Sequence, residues 1–182
     1  MARSNGKGYR RRDFQRSKVY RAERDMDTQL GEYGGRLETI PEIRTWIDEI
    51  NGSRWMKGYV NRHRDHQLEV GHTKIVVGDG RSRIKPCAEL FRYNYTAIVK
   101  FPKWGRSRLI VLHELTHVYT NWIIPAWHGR EFCANYLEFV KRWLGQDARA
   151  ELQASFQRNG VKFRRKKPRF IYDQRAGTWR TT

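Results

Sequence analysis

The sequence predicts an α+β domain carrying a basic arm at each end, on three observations. Several segments repeat their apolar residues at helical spacing, two others have strand composition, and the surplus positive charge lies at the chain ends. The 182 residues carry a formal net charge of +18. Residues 1–24 hold nine basic and two acidic side chains, and residues 158–182 hold nine and one. Net charges of +7 and +8 at the ends leave only +3 for residues 25–157. The expected organisation is a basic arm over 1–12, one globular domain over 13–158, and a basic, aromatic tail over 159–182. A hydrophobic content of 38%, with 13% aromatic residues, is enough for one core and excludes wholesale disorder.

Taken in order, "RDFQRSKVYRAERDM" (12–26) sets Phe14, Val19 and Met26 among charges, a modest helical pattern. "GEYGG" (31–35) breaks it. In "TIPEIRTWIDEI" (39–50), Thr39 can cap a helix whose Ile40, Ile43, Ile47 and Ile50 share one stripe, and Gly52 follows as a stop. "LEVGHTKIVVGDG" (68–80) and "CAELFRYNYTAIVKFP" (87–102) are rich in β-branched and aromatic residues and read as strands. A helix then starts at Ser107, a candidate N-cap, and runs to the break at Pro125. Phe132, Tyr136, Phe139, Val140 and Trp143 define the next helix over 130–145, and Asp147 can cap a last one. There is no internal repeat.

Several classes are set aside by composition. Two cysteines, Cys87 and Cys133, cannot build a disulfide framework, and no CxxC pair is present; Cys133 reads as a small core residue. No apolar run approaches the roughly 18 residues of a membrane span. The basic N-terminus lacks the apolar stretch of a secretory signal, so a soluble, cytoplasmic protein is expected.

The chemistry concentrates in "VLHELTHVYTNWIIPAWHGREF" (111–132). His113 and His117 are four residues apart, so on a helix their imidazoles project from one side and can share an ion. Glu114 is rotated about 100° from His113, placed to act on water as a base without ligating. A catalytic zinc takes three protein ligands and keeps one position open. His128, beyond the break at Pro125, supplies the third. His63, His66 and His72 fall in "NRHRDHQLEVGH", which the surrounding Arg and Asp mark as a solvated turn.

"HELTH" followed by "HGREF" resembles the SprT-like zinc metalloproteases over about residues 87–145. "RDFQRSKVYRAE", "IVLHELTH" and "AWHGREF" together resemble a family of metallohydrolase-like proteins of actinobacteria and their phages, over roughly 12–145. The resemblance implies a zincin-like α+β fold: a small sheet, an active-site helix bearing HExxH, and a following helix bearing the third ligand. It implies one Zn2+ bound by His113, His117 and His128, with Glu114 as catalytic base in peptide hydrolysis. Phe132 fills the family's aromatic position, whereas the zinc ribbon of some SprT-like proteins is absent. In such enzymes a sheet edge binds extended peptide. Residues 95–102 are the candidate edge, though they equally fit a plain core strand. Tyr119 and Arg130 are candidates to stabilise the reacting carbonyl, and Glu131 to orient a ligand imidazole; each also has a structural reading.

In the tail, Arg164, Arg165, Lys166, Lys167 and Arg169 alternate with aromatics, a composition suited to DNA or RNA. "RFIYD" within it could instead form a strand. The expected partners are a protein or peptide substrate and, through the arms, nucleic acid, with no membrane. Two alternatives share these features. One is a nucleic-acid-binding protein with a structural or vestigial zinc, the other a hydrolase of cell-wall peptides.

Overall fold

The computed structural model describes residues 13–27, 34–62, 74–81, 85–91, 96–121, 127–163, 170–173 and 178–181. His63, His66, His72, Pro125 and the basic run Arg164, Arg165, Lys166, Lys167 and Arg169 lie outside them. Among the described residues the architecture is α+β, with six α-helices and a three-stranded mixed sheet. The helices are α1 (Arg16–Asp27), α2 (Ile40–Gly52), α3 (Arg54–Arg62), α4 (Arg108–Asn121), α5 (Arg130–Leu144) and α6 (Gln146–Arg158). The strands β1 (Lys74–Asp79), β2 (Cys87–Phe91) and β3 (Thr96–Phe101) form the sheet. None of the described helices is long and apolar enough to cross a membrane.

Local chemistry accounts for most of these boundaries. Thr39 caps α2 by accepting from the Glu42 amide at 3.3 Å, and Glu42 returns the bond to the Glu38 amide at 3.0 Å. Ile43, Ile47 and Ile50 are buried on its inner face. Ser53 then ends α2 by bonding the Ile50 carbonyl and starts α3 by accepting from the Met56 amide. Ser107 accepts from the Ile110 amide at 3.3 Å and so opens α4. Gly145, at φ 101°, makes the corner between α5 and α6 in a conformation that favours glycine. The last helix therefore starts at Gln146, and Asp147 lies in its first turn rather than at its cap, its charge complementing the helix dipole.

The stretch 87–102 divides into two antiparallel strands, with Phe91 opposite Thr96. β1 runs parallel to β3, giving the order β1-β3-β2. The candidate edge over 95–102 is thus the central strand. Ala97, Val99 and Phe101 alternate into the core, and both of its sides are hydrogen-bonded. The edges, among the described residues, are β1 and β2.

The packing runs from sheet to α4, α4 to α5, α5 to α6, and α6 to α1. Helix α4 is buried on nearly all sides, as its apolar sequence requires. Val19, Ala22 and Met26 of α1 are buried, while Phe14 is exposed off that stripe. Ser155 of α6 donates to the Ala22 carbonyl at 3.0 Å, which fixes α1 against α6. The packed body continues past 158: Val161 is buried and the Phe163 ring lies tilted against Phe156, centroids 6.0 Å apart. In the tail, Phe170–Asp173 and Thr178–Thr181 pair as an antiparallel hairpin.

Removing the α2 cap with Thr39→Ala should cost about 1 kcal/mol. Ile47→Ala, at a position 1% exposed, should cost about 2–5 kcal/mol because it also leaves a cavity. Urea unfolding should rank the two in that order. Equal losses would contradict the placement of α2 in the core.

Candidate metal centre

Helix α4 presents His113 and His117 from one side, as the four-residue spacing requires, and the turn before α5 brings His128 to face them. All three are buried, at 2%, 5% and 4% exposure. His113 Nε2 lies 3.0 Å from His117 Nε2 and 3.2 Å from His128 Nε2. The three donor atoms lie within 4.8 Å of one another and could hold a metal ion. A tetrahedral ion with bonds of about 2.0–2.1 Å holds its nitrogen donors about 3.3–3.4 Å apart, so the spacing fits.

The opposite ring nitrogens explain why the Nε2 atoms face inward. Glu23 Oε1 of α1 bonds His113 Nδ1, and Asp13 Oδ2, just ahead of α1, bonds His128 Nδ1 at 2.5 Å. An ionised carboxylate only accepts, so each Nδ1 carries the proton and each Nε2 directs a lone pair at the others. Such lone pairs repel unless a proton or a metal ion lies between them. His117 Nδ1 has no hydrogen-bond partner among the described residues. Phe132 packs on all three rings, stacked on His117 at 4.3 Å and edge-on to His113 and His128 at 5.1 Å.

Burial and neighbouring charge tune the group. Burial lowers the pKa of His117 well below its usual value, with His113 and His128 adding to the effect. Burial also lowers His128, and Asp13 opposes it only in part. At His113 burial again acts downward, but Glu23 and then Glu114 outweigh it and the net shift is upward. Burial pushes Glu114 up to about 7, against the pull of His113 and with the push of Glu23.

Tyr20 of α1 and Gln15 just ahead of it complete the surroundings. Tyr20 stacks on His113 at 5.6 Å and meets His128 edge-on at 5.3 Å, with the Arg16 guanidinium 5.6 Å from its ring. Burial, then Glu114 and Glu23, push its phenol up to about 12. Gln15 donates to the His128 carbonyl at 2.9 Å and accepts from the Lys162 amide at 2.5 Å, so it ties the turn bearing His128 to the end of the body.

The structure therefore brings together His113, Glu114, His117 and His128, and it gives other sequence candidates different surroundings. Tyr119 points away from the cluster, donating to Asn51 Oδ1 at 2.5 Å beside Tyr59 and Phe139. Glu131 sits half-buried in the first turn of α5 and bonds none of the three imidazoles, whose carboxylate partners are Glu23 and Asp13. Arg130 opens the same turn. Cys133 is a buried core residue whose thiol burial keeps protonated. Sequence reasoning missed Asp13, Tyr20 and Glu23. Glu23 did leave a signal, since it falls on the apolar stripe of Val19, Ala22 and Met26. Comparison with family models, with curated proteins and with solved structures finds no match to the chain.

Outer carboxylates that orient ligand imidazoles typically govern metal affinity by about 10–100-fold. Glu23→Gln and Asp13→Asn should each weaken zinc binding by that factor in competition with a chromophoric chelator, and Glu131→Gln should leave it unchanged. A loss at Glu131 without one at Glu23 would overturn this assignment.

Proposed function

We propose that the chain is a zinc-dependent metallohydrolase of zincin-like fold that acts as a metallopeptidase. The observation that carries this reading is the convergence of three buried Nε2 atoms beside a buried glutamate that does not join them. His113, His117 and His128 would hold the ion. The donor set suits zinc, since imidazoles favour it among divalent ions. A bound zinc supplies Lewis-acid polarisation of a carbonyl and acidification of water.

The protein's own residues account for the remaining work. Glu114 lines the pocket beside His113, where a carboxylate takes a proton from water and returns it to the leaving amine. Tyr20 lines the same pocket and takes the part first considered for Tyr119: its phenol donates to negative charge developing on the substrate oxygen. Glu23 and Asp13 hold the imidazoles in the tautomer that ligates. Edge strand β2 packs against α4 and is the edge beside the site for an extended peptide.

The charge of the two ends supports substrates associated with DNA or RNA in the cytoplasm. A nucleic-acid-binding protein with structural zinc is the other reading those charges favour. A structural zinc is closed by a fourth protein ligand. Among the described residues three donors converge, and a carboxylate faces the pocket next to them.

Glu114→Gln separates the two readings. With zinc content and single-stranded DNA binding unchanged, hydrolysis of a peptide library should fall by about 100-fold or more. Cleavage by neither protein would remove the enzyme reading, and equal cleavage by both would remove Glu114 as the base.

A further inference from the structure

Beside the histidine cluster lies a pocket of about 280 Å³ that runs from buried His113 and Glu114 to the surface. Its walls are Leu109 and Ile110 of α4, Pro86 ahead of β2, Tyr20 of α1, and Trp104, which is 55% exposed at the rim. The lining is mainly apolar, yet two cations, Arg24 and Lys85, stand exposed at the mouth. The acids that line it are otherwise engaged: Glu23 is bonded to His113, and Glu114 is buried at the inner end.

The wall is built to keep this shape. Gly105 follows Trp104 in the 3-10 turn Lys103–Gly105, and a Cβ there would sit 2.4 Å from Pro86 Cγ. The absent side chain lets the turn close on Pro86, so Trp104 and Pro86 are held as one surface. Arg36 fixes the turn from outside, donating to the Lys103 carbonyl at 2.7 Å.

We propose that this pocket selects the substrate: it takes one large apolar side chain, preferably aromatic, from a peptide with acidic residues next to it. The inference rests on the peptidase reading and names its substrate class. Size sets the occupant. An apolar cavity of about 150 Å³ holds a benzene ring, so this pocket accepts a phenylalanine or leucine side chain, while falling below the roughly 300–1,000 Å³ of sites for whole small ligands. Charge sets the neighbours. Arg24 and Lys85 make no ion pair among the described residues and would meet carboxylates flanking the anchored side chain. Because His113 and Glu114 line the same pocket, a peptide anchored here is held next to the base.

The test uses two readouts. The zinc-loaded wild type is given a proteome-derived peptide library, and the cleaved bonds are read by mass spectrometry. Phe, Leu, Met or Trp should dominate one position next to the scissile bond, with Asp or Glu adjoining. In parallel, zinc-loaded Glu114→Gln is titrated calorimetrically with acetyl-Ala-Asp-Phe-Asp-Ala-amide and with its Phe→Gly counterpart. The Phe peptide should bind at least about tenfold tighter. Adding Trp104→Ala should erase that difference, and Arg24→Glu with Lys85→Glu should weaken the Asp-flanked peptide but not an Ala-flanked one. Cleavage without preference, or equal binding of the two peptides, would overturn the pocket assignment while leaving the peptidase reading intact. Preferential binding with no cleavage of any peptide would remove the peptidase reading and leave the pocket as a peptide-binding site.

Discussion

Everything in this molecule that bears on chemistry depends on one electrostatic constraint: three imidazole nitrogens aimed at one point inside the protein. Two carboxylates, Glu23 and Asp13, impose it by accepting hydrogen bonds from the Nδ1–H groups of His113 and His128. Inward lone pairs at 3.0 and 3.2 Å are unfavourable unless a positive charge joins them. The fold holds them there through packing. Phe132 lies against all three rings, and α4, which carries two of them, is buried along almost its whole length. Two of the three imidazoles are thus borne on one helix, which holds them more tightly than a loop would.

Helix α1 is the element that turns a histidine motif into a site. It spans only twelve residues, but it supplies Tyr20 and Glu23, and the turn before it supplies Asp13 and Gln15. Its position comes from α6, through the Ser155 bond to Ala22 and the Asn159 bond to Asp25 at 2.7 Å. The acids on α1 carry a cost. A buried carboxylate is tolerable only when paired, and Glu23 and His113 meet that condition for each other. Loosening the α1–α6 contact would therefore disturb the histidines although it lies well away from them in sequence.

Much of this was legible before the fold was known, for reasons that differ by residue. His113, Glu114 and His117 sit on one helix, where spacing alone fixes their relative directions, and a helix break let His128 be placed with them. The caps Thr39 and Ser107 also read correctly, because capping depends on neighbours within three residues. What sequence could not supply was long-range. Asp13 meets a residue 115 positions away, and no local pattern encodes that contact. Strand order is decided by crossovers and not by composition, so β3 could be taken for an edge when it is the centre. Helix α3 has nine residues with Met56 and Tyr59 as its buried contacts, too short a period to stand out. Glu23 is the instructive case. A lone acid on an apolar stripe marks either an error of pattern or a partner across the core, and here it has the partner.

The most direct test of the metal centre is X-ray absorption at the zinc edge on protein loaded with one equivalent of zinc. The expected spectrum has three imidazole nitrogens at about 2.0–2.1 Å and one exchangeable oxygen ligand, with an imidazole lost in His128→Ala. A protein that takes up no zinc, or one whose spectrum is unchanged by His128→Ala, would contradict the three-histidine centre.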